Sequence, residues 1–311
     1  MGVRSSEIAL TGVGASLNAC KTTLDDRPTT TLAHRVSPRT AGGEDTFGRH
    51  SYSAFVEDVP DSAHELAALL ASTSPPLDRA LLLLSEALQQ RTNVVSPALQ
   101  ALDDLAADLD PATLATSSVD ALVEGLFGNA GFVGDVDDYH AEDNSFLDRV
   151  LERRVGMPIT LSAIVVAVGV RIDLPLALIG LPGHVVVGVP SEPDTFIDAF
   201  SGARVDRLAL EARLKSIFGH EMAISDQSLK PMSTSAVITR VSNNLMRTWA
   251  REHQKFDRLL EVRALLPLDH SDQRALIEIA ETRTRFDIAA RLRESIDPDD
   301  PEIKALWGRL N

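Results

Sequence analysis

The sequence predicts an α+β fold: a helical N-terminal layer packed on a small antiparallel sheet, followed by helical hairpins. Three observations predict it. Between Ser62 and Ala107, apolar residues recur at three- and four-residue spacing. The β-branched run Val185-Val186-Val187 lies between two turn sequences, Gly180-Leu181-Pro182-Gly183 and Pro190-Ser191-Glu192-Pro193-Asp194. From Ser235 onward the pattern is helical again and repeats itself.

The elements follow in order. Residues 1 to about 55 are rich in Thr, Ser, Gly and Arg without sustained periodicity, and read as a disordered leader. The leader lacks the charged start and continuous apolar core of a signal peptide. Its opening MGVRSS fits the loose myristoylation pattern but carries no second membrane signal. Helices are predicted at Ser62–Ala71, Pro76–Gln90 and Ser96–Ala107, with shorter ones at Asp110-Pro111 and Ser118–Phe127. In the second, Leu77, Ala80, Leu81, Leu84 and Leu88 form one stripe. Pro76 suits a helix start, where its missing N–H does no harm.

Gly128–Asp138 reads as a loop. Asn144 or Ser145 then caps a helix running to about Arg154, stopped by Gly156. From Pro158 and Thr160 to about Ile172 a second helix is apolar on nearly all sides, so it should be buried. Strands are predicted at Ala177–Ile179, His184–Val189 and Thr195–Asp198. In the C-terminal part, Lys255-Phe256-Asp257 recurs as Arg285-Phe286-Asp287, and Arg263, Asp269 and Ala275-Leu276 recur as Arg293, Asp299 and Ala305-Leu306. One common offset of 30 predicts two stacked, tetratricopeptide-like hairpins. The predicted units are a leader at 1–55, a core at 60–232 and hairpins at 235–311.

Composition limits the function classes. The formal charge is −15 and the pI near 4.9. That balance disfavours nonspecific nucleic-acid binding and docking on anionic membranes. The longest apolar run, around Ala163–Val170, is too short to span a bilayer. A single cysteine, Cys20, excludes an internal disulfide and a cysteine-based zinc cluster, and fits a reducing cytoplasm. Eight histidines are scattered with no HExxH and no phosphate-binding glycine motif, so no metal and no cofactor is expected.

His184 on one strand and Asp198 on the next are the candidate pair: a carboxylate would fix the imidazole tautomer and raise its basicity. The alternative is a strand-start histidine bonded to loop backbone. Pro182-Gly183 buckles the chain where this His emerges. The first turn of the buried helix stabilises negative charge, so Thr160 and Ser162 are candidate nucleophiles. Otherwise they are a cap and a small buried hydroxyl. Glu152-Arg153-Arg154 is a candidate anion- or partner-binding knot, or a set of local ion pairs. Asn144 belongs either to the binding set or to a helix cap.

These residues resemble the SirB1 family, whose core is transglutaminase-like of a divergent second type. The matching segments are Leu122–Asp135, Asn144–Ser162, Gly180–Gly188 and Phe196–Phe200, within a span from about Ser62 to Arg207. The resemblance implies a transglutaminase-like core, often with a tetratricopeptide-like C-terminal part. It also implies a Cys–His–Asp frame in which His184 and Asp198 fill the last two places. Pro158, Thr160 and Ser162 stand near the first, and none is a thiol. Asp173 replaces a usual glycine, and Val185 a usual aromatic. The expected function is therefore a non-catalytic transglutaminase-like protein that binds a peptide or protein partner. The alternative is a hydrolase or acyl-transferase using Thr160 or Ser162 with His184 and Asp198.

Overall fold

The computed structural model describes residues 59–309; the predicted leader, Cys20 included, lies outside them. Five helices open the fold: α1 (Asp61–Leu70), α2 (Leu77–Gln89), α3 (Val95–Ala107), α4 (Pro111–Leu114) and α5 (Ser118–Val123). The last runs on as a π-helical turn over Glu124–Asn129. α2 is buried on more than its predicted stripe: Leu82, Leu83 and Ala87 join Ala80, Leu81, Leu84 and Leu88 inside. Its surroundings explain this, because α1, α3 and later helices pack around it.

Next come β1 (Val133–Gly134), α6 (Leu147–Arg153), β2 (Val155–Gly156) and α7 (Pro158–Arg171). β1 pairs with β2 in parallel, Val133 opposite Val155. The predicted loop thus carries a short strand that ties it to the start of α7. Asn144 and Ser145 do not cap α6. They close a 3-10 turn over Glu142–Ser145, and Phe146 is the N-cap. α7 is nearly all buried, as its apolar composition requires.

The main sheet is an antiparallel meander in the order β3 (Ala177–Leu181), β4 (His184–Gly188), β5 (Thr195–Asp198), β6 (Ala203–Asp206). The sequence did not single out β6, nor α8 (Arg207–Phe218), which follows it directly. Strand alternation divides the sheet's residues between two apolar clusters. Leu178, Val185, Val187 and Ile197 join the large core that holds α7. Ile179, Leu181, Val186 and Phe196 face Leu210 and Leu214 of α8.

Five further helices complete the chain: α9 (Thr234–Thr248), α10 (His253–Leu265), α11 (His270–Thr282), α12 (Phe286–Ile296) and α13 (Glu302–Gly308). The 30-residue offset maps α10 onto α12 and α11 onto α13. Equivalent positions are buried in both copies: Leu259 and Ala289, Leu260 and Ala290, Val262 and Leu292, Leu276 and Leu306. The large core continues through these helices without a break, so α1 and α2 also pack on α10.

Gly169 shows how tightly α7 meets the chain that returns to β3. A Cβ there would lie 2.6 Å from Leu176 Cδ1 and 3.2 Å from the Leu174 carbonyl oxygen. Gly169→Ala should therefore overpack this corner and cost about 1–3 kcal/mol. The check is a lower urea midpoint with an unchanged m value.

Candidate functional site

The hairpin turn between β3 and β4 is two residues long, Pro182-Gly183, with Leu181 opposite His184. Gly183 has φ +65°, and Pro holds the position before it, which is type II turn chemistry. The turn lies against α8, with Ile217 and Phe218 at Gly183. His184 has the parity of Val186, and Asp198 that of Phe196. Both therefore face α8, on one side of the sheet. In the β4–β5 register Asp198 falls opposite Val186, so it sits diagonally across from His184, within reach of a long side chain.

The two meet there, His184 Nε2 and Asp198 Oδ1 at 3.1 Å, both buried. The Phe200 backbone N–H also donates to Oδ1, at 3.2 Å. Arg213 Nε, from α8, stands 3.9 Å from Oδ2. Burial alone would raise the Asp198 carboxyl. The hydrogen bond and charge of His184, with the charge of Arg213, outweigh it and hold the group below the usual carboxylate range. An ionised carboxylate only accepts, so Nε2 is the donor. In the neutral ring, Nδ1 is then the nitrogen with the free lone pair.

The start of α7 is arranged differently. Met157 is its N-cap, Pro158 its first residue, and Thr160 lies one turn in. Thr160 Oγ1 donates to the carbonyls of Asn144, at 2.7 Å, and Met157, at 3.1 Å. Ser162 Oγ is fully buried with no hydrogen-bond partner. Neither hydroxyl bonds to His184. Met157 Sδ accepts weakly from Asn244 Nδ2 at 3.2 Å. The structure thus brings His184 and Asp198 together and leaves Thr160 and Ser162 engaged or enclosed within α7's own surroundings.

The remaining predicted residues form a scaffold beside this site. Asn144 is fully buried. Its amide donates to Asp135 Oδ2 at 3.0 Å and the Asp138 carbonyl at 2.9 Å, and its Oδ1 accepts from Arg153 at 3.1 Å. Arg153 also approaches Asp135 Oδ2 at 3.6 Å. Arg154, in a left-handed conformation at φ +60°, donates to the Ala130 carbonyl and covers the Phe132 ring at 4.8 Å. Glu152 accepts from Arg149 at 2.7 Å and Arg91 at 3.4 Å. Pro182 is exposed and Gly183 half-buried at the turn.

Several residues at the dyad carry no sequence signal of their own. Arg240 Nη2 donates to the His184 carbonyl at 2.9 Å and the Leu181 carbonyl at 3.1 Å, bracing both ends of the turn. Tyr139 stacks edge-on against Phe200, centroids 5.9 Å apart. Burial pushes its phenol up, against the pull of Arg247, Arg240 and Arg213. Arg240 and Arg247 lie seven residues, or two turns, apart on α9, which is the one spacing that hinted at a shared face. Among the described residues no group of three His, Cys, Asp or Glu could hold a metal ion. No described helix is long and apolar enough to cross a membrane.

Residues 96–243, which hold the dyad, α7 and the sheet, match the family described as "Transglutaminase-like superfamily". The chain is also similar to UPF0162 proteins and to protein SirB1. The chain is 32% identical to a UPF0162 protein of Xylella fastidiosa over 149 residues, 44% of this chain and 53% of that one. A UPF0162 protein of Pseudomonas aeruginosa is 26% identical over 65% of this chain and 79% of its own length. Protein SirB1 of Salmonella typhimurium is 27% identical over 50% of this chain and 58% of its own. The matched region spans about half the length of the Xylella relatives. No solved structure matches the chain.

The depressed Asp198 carboxyl fixes the sign of one pH effect. Its stabilisation is present above the unfolded-state value and lost as pH falls through the folded one. Wild-type stability should fall below about pH 5 as this carboxylate protonates. Asp198→Asn should lose about 1–3 kcal/mol at neutral pH and show a shallower acid limb, measured by urea unfolding across that range. An equal slope in both proteins would refute the assignment. Asn144→Ala should likewise cost about 1–3 kcal/mol by removing the buried amide's hydrogen bonds to Asp135, the Asp138 carbonyl and Arg153, read as a lower denaturation midpoint.

Proposed function

We propose that this chain is a non-catalytic transglutaminase-like protein that binds a peptide or protein partner at the surface around His184 and Asp198. The observation that carries the reading is the state of the two hydroxyls. A hydroxyl nucleophile needs an aligned base, because it is far less acidic than a thiol. Thr160 Oγ1 donates to two backbone carbonyls, and Ser162 Oγ has no partner and no exposure. The retained dyad sits instead beside an ordered turn that Arg240 braces through two carbonyls. That arrangement suits a preorganised recognition surface, where rigidity reduces the ordering entropy that binding costs.

The repeated helical pairs α10–α11 and α12–α13 add a second candidate surface of the kind helical repeats use for recognition. The reading places the protein among binding modules of the cytoplasm, with no cofactor and no nucleic-acid or membrane partner.

A displayed random peptide library panned on the full chain tests this. Enriched peptides should bind wild type and lose most of their affinity to His184→Ala, while a fluorophosphonate probe leaves Thr160 and Ser162 unlabelled. No enrichment, or enrichment indifferent to His184→Ala, would sink the binding reading. Labelling of either hydroxyl would establish the hydrolase alternative instead.

A further inference from the structure

Three guanidinium groups and one phenol converge beside the dyad. Arg213 comes from α8, Arg240 and Arg247 from one face of α9, and Tyr139 from the loop after β1. Each is tied to the site by contact. Arg213 Nε stands 3.9 Å from Asp198 Oδ2, and Arg240 donates to the His184 carbonyl. Arg247 donates to Asn244, whose amide reaches Met157 at the start of α7. Tyr139 lies against Phe200, whose N–H holds Asp198.

Their charges are poorly compensated. Among the described residues neither Arg240 nor Arg247 has a carboxylate partner. Arg213 has only Asp198, beyond hydrogen-bond range, and its Nε is buried without a hydrogen bond. The Tyr139 hydroxyl makes no hydrogen bond with another described residue. Arg240 is displaced downward by burial and by repulsion from Arg247. A chain of net charge −15 has acidic residues in excess, so leaving Arg240 and Arg247 without a carboxylate partner, beside an Arg213 that shares Asp198 with His184, creates a local field opposite to the global one.

We propose that Arg213, Arg240, Arg247 and Tyr139 form a recognition site for a carboxylate of the bound peptide. Guanidinium forks match a planar carboxylate in geometry and charge. The Tyr139 O–H supplies a further donor. The inference rests on the peptide-binding reading of this surface, and it names the group that surface selects.

The test uses the full chain at low salt and three probes: acetyl-Ala-Glu-Glu-Ala-amide, the same peptide with Gln for both Glu, and that neutral peptide with a free C-terminal carboxylate. Calorimetry should give binding about tenfold tighter for at least one carboxylate probe than for the neutral amide, the worth of one charge-assisted hydrogen bond. The probe that gains shows whether a side-chain or a terminal carboxylate is read. Tyr139→Phe and Arg247→Ala remove no described tertiary hydrogen bond or ion pair and should each erase most of that preference. Equal binding of all three probes would overturn the carboxylate site and leave the peptide reading standing. Binding of none, with no clone enriched from the library, would overturn both. Inorganic phosphate that binds with the same Arg247 dependence, while no peptide does, would make this a free-anion site and overturn the proposal as stated.

Discussion

Strand β4 is buried along its whole length and on both faces, and the placement of the site depends on this. A strand with two buried faces has no freedom of register. A slip of one residue would send Val185 and Val187 toward α8 and His184 into the apolar core around α7. The type II turn at Pro182-Gly183 fixes that register from one end, and the β5 ladder fixes it from the other. His184 therefore faces the α8 side of the sheet because its neighbours must alternate. Asp198 follows by the same rule from β5. The dyad is a product of packing before it is a product of chemistry.

A second constraint holds the other wall of the site. Asn144 links the β1 loop, the end of α6 and the first turn of α7 through its amide, its side-chain oxygen and its backbone carbonyl. The carbonyl takes the Thr160 hydroxyl. A single buried amide thus explains two features together. The helix start carries a hydroxyl that is already committed, and the loop bearing Tyr139 is held against Phe200. Buried polar groups of this kind are stabilising only when fully paired, and here each arm of Asn144 has a partner.

Much of the fold was legible because its signals are local. The helical stripes, the Pro-Gly turn and the β-branched run located α1–α3, α7 and β3–β5 within a residue or two. The pairing of His184 with Asp198 was legible because the turn-strand-turn-strand order puts the two on adjacent strands. What escaped the sequence depends on long-range contact. Asn144 looked like a helix cap because Asn, Ser and Asp before an apolar run usually are one. Its role as a hub is set by Asp135, Arg153 and Thr160, which no spacing rule connects. β6 and α8 were missed because their residues alternate weakly, and only β5 and the face shared with Leu181 and Val186 give them a place. Tyr139, Arg213 and Arg240 come from three separate elements, and α2 shows a full ring of burial only once α9 and α10 lie on it.

The three arginines give the clearest contrast between composition and site. Many of the described arginines follow the acidic composition: Arg171 with Asp78 and Asp103, Arg293 with Glu281 and Asp300, Arg285 with Glu261 and Asp287. Such pairs are what an excess of carboxylates produces around any cation. Arg240 and Arg247 have no carboxylate partner among the described residues; they share one face of α9, and the charge of Arg247 opposes that of Arg240. Repulsion between neighbouring cations is destabilising in the free protein. Arg240 contributes structure through two carbonyls, which any well-placed donor could satisfy. The exposed Arg247 makes no such tertiary contact. A compensating anion brought by a ligand would relieve the repulsion only when bound, and that difference between free and bound states is what a recognition site needs.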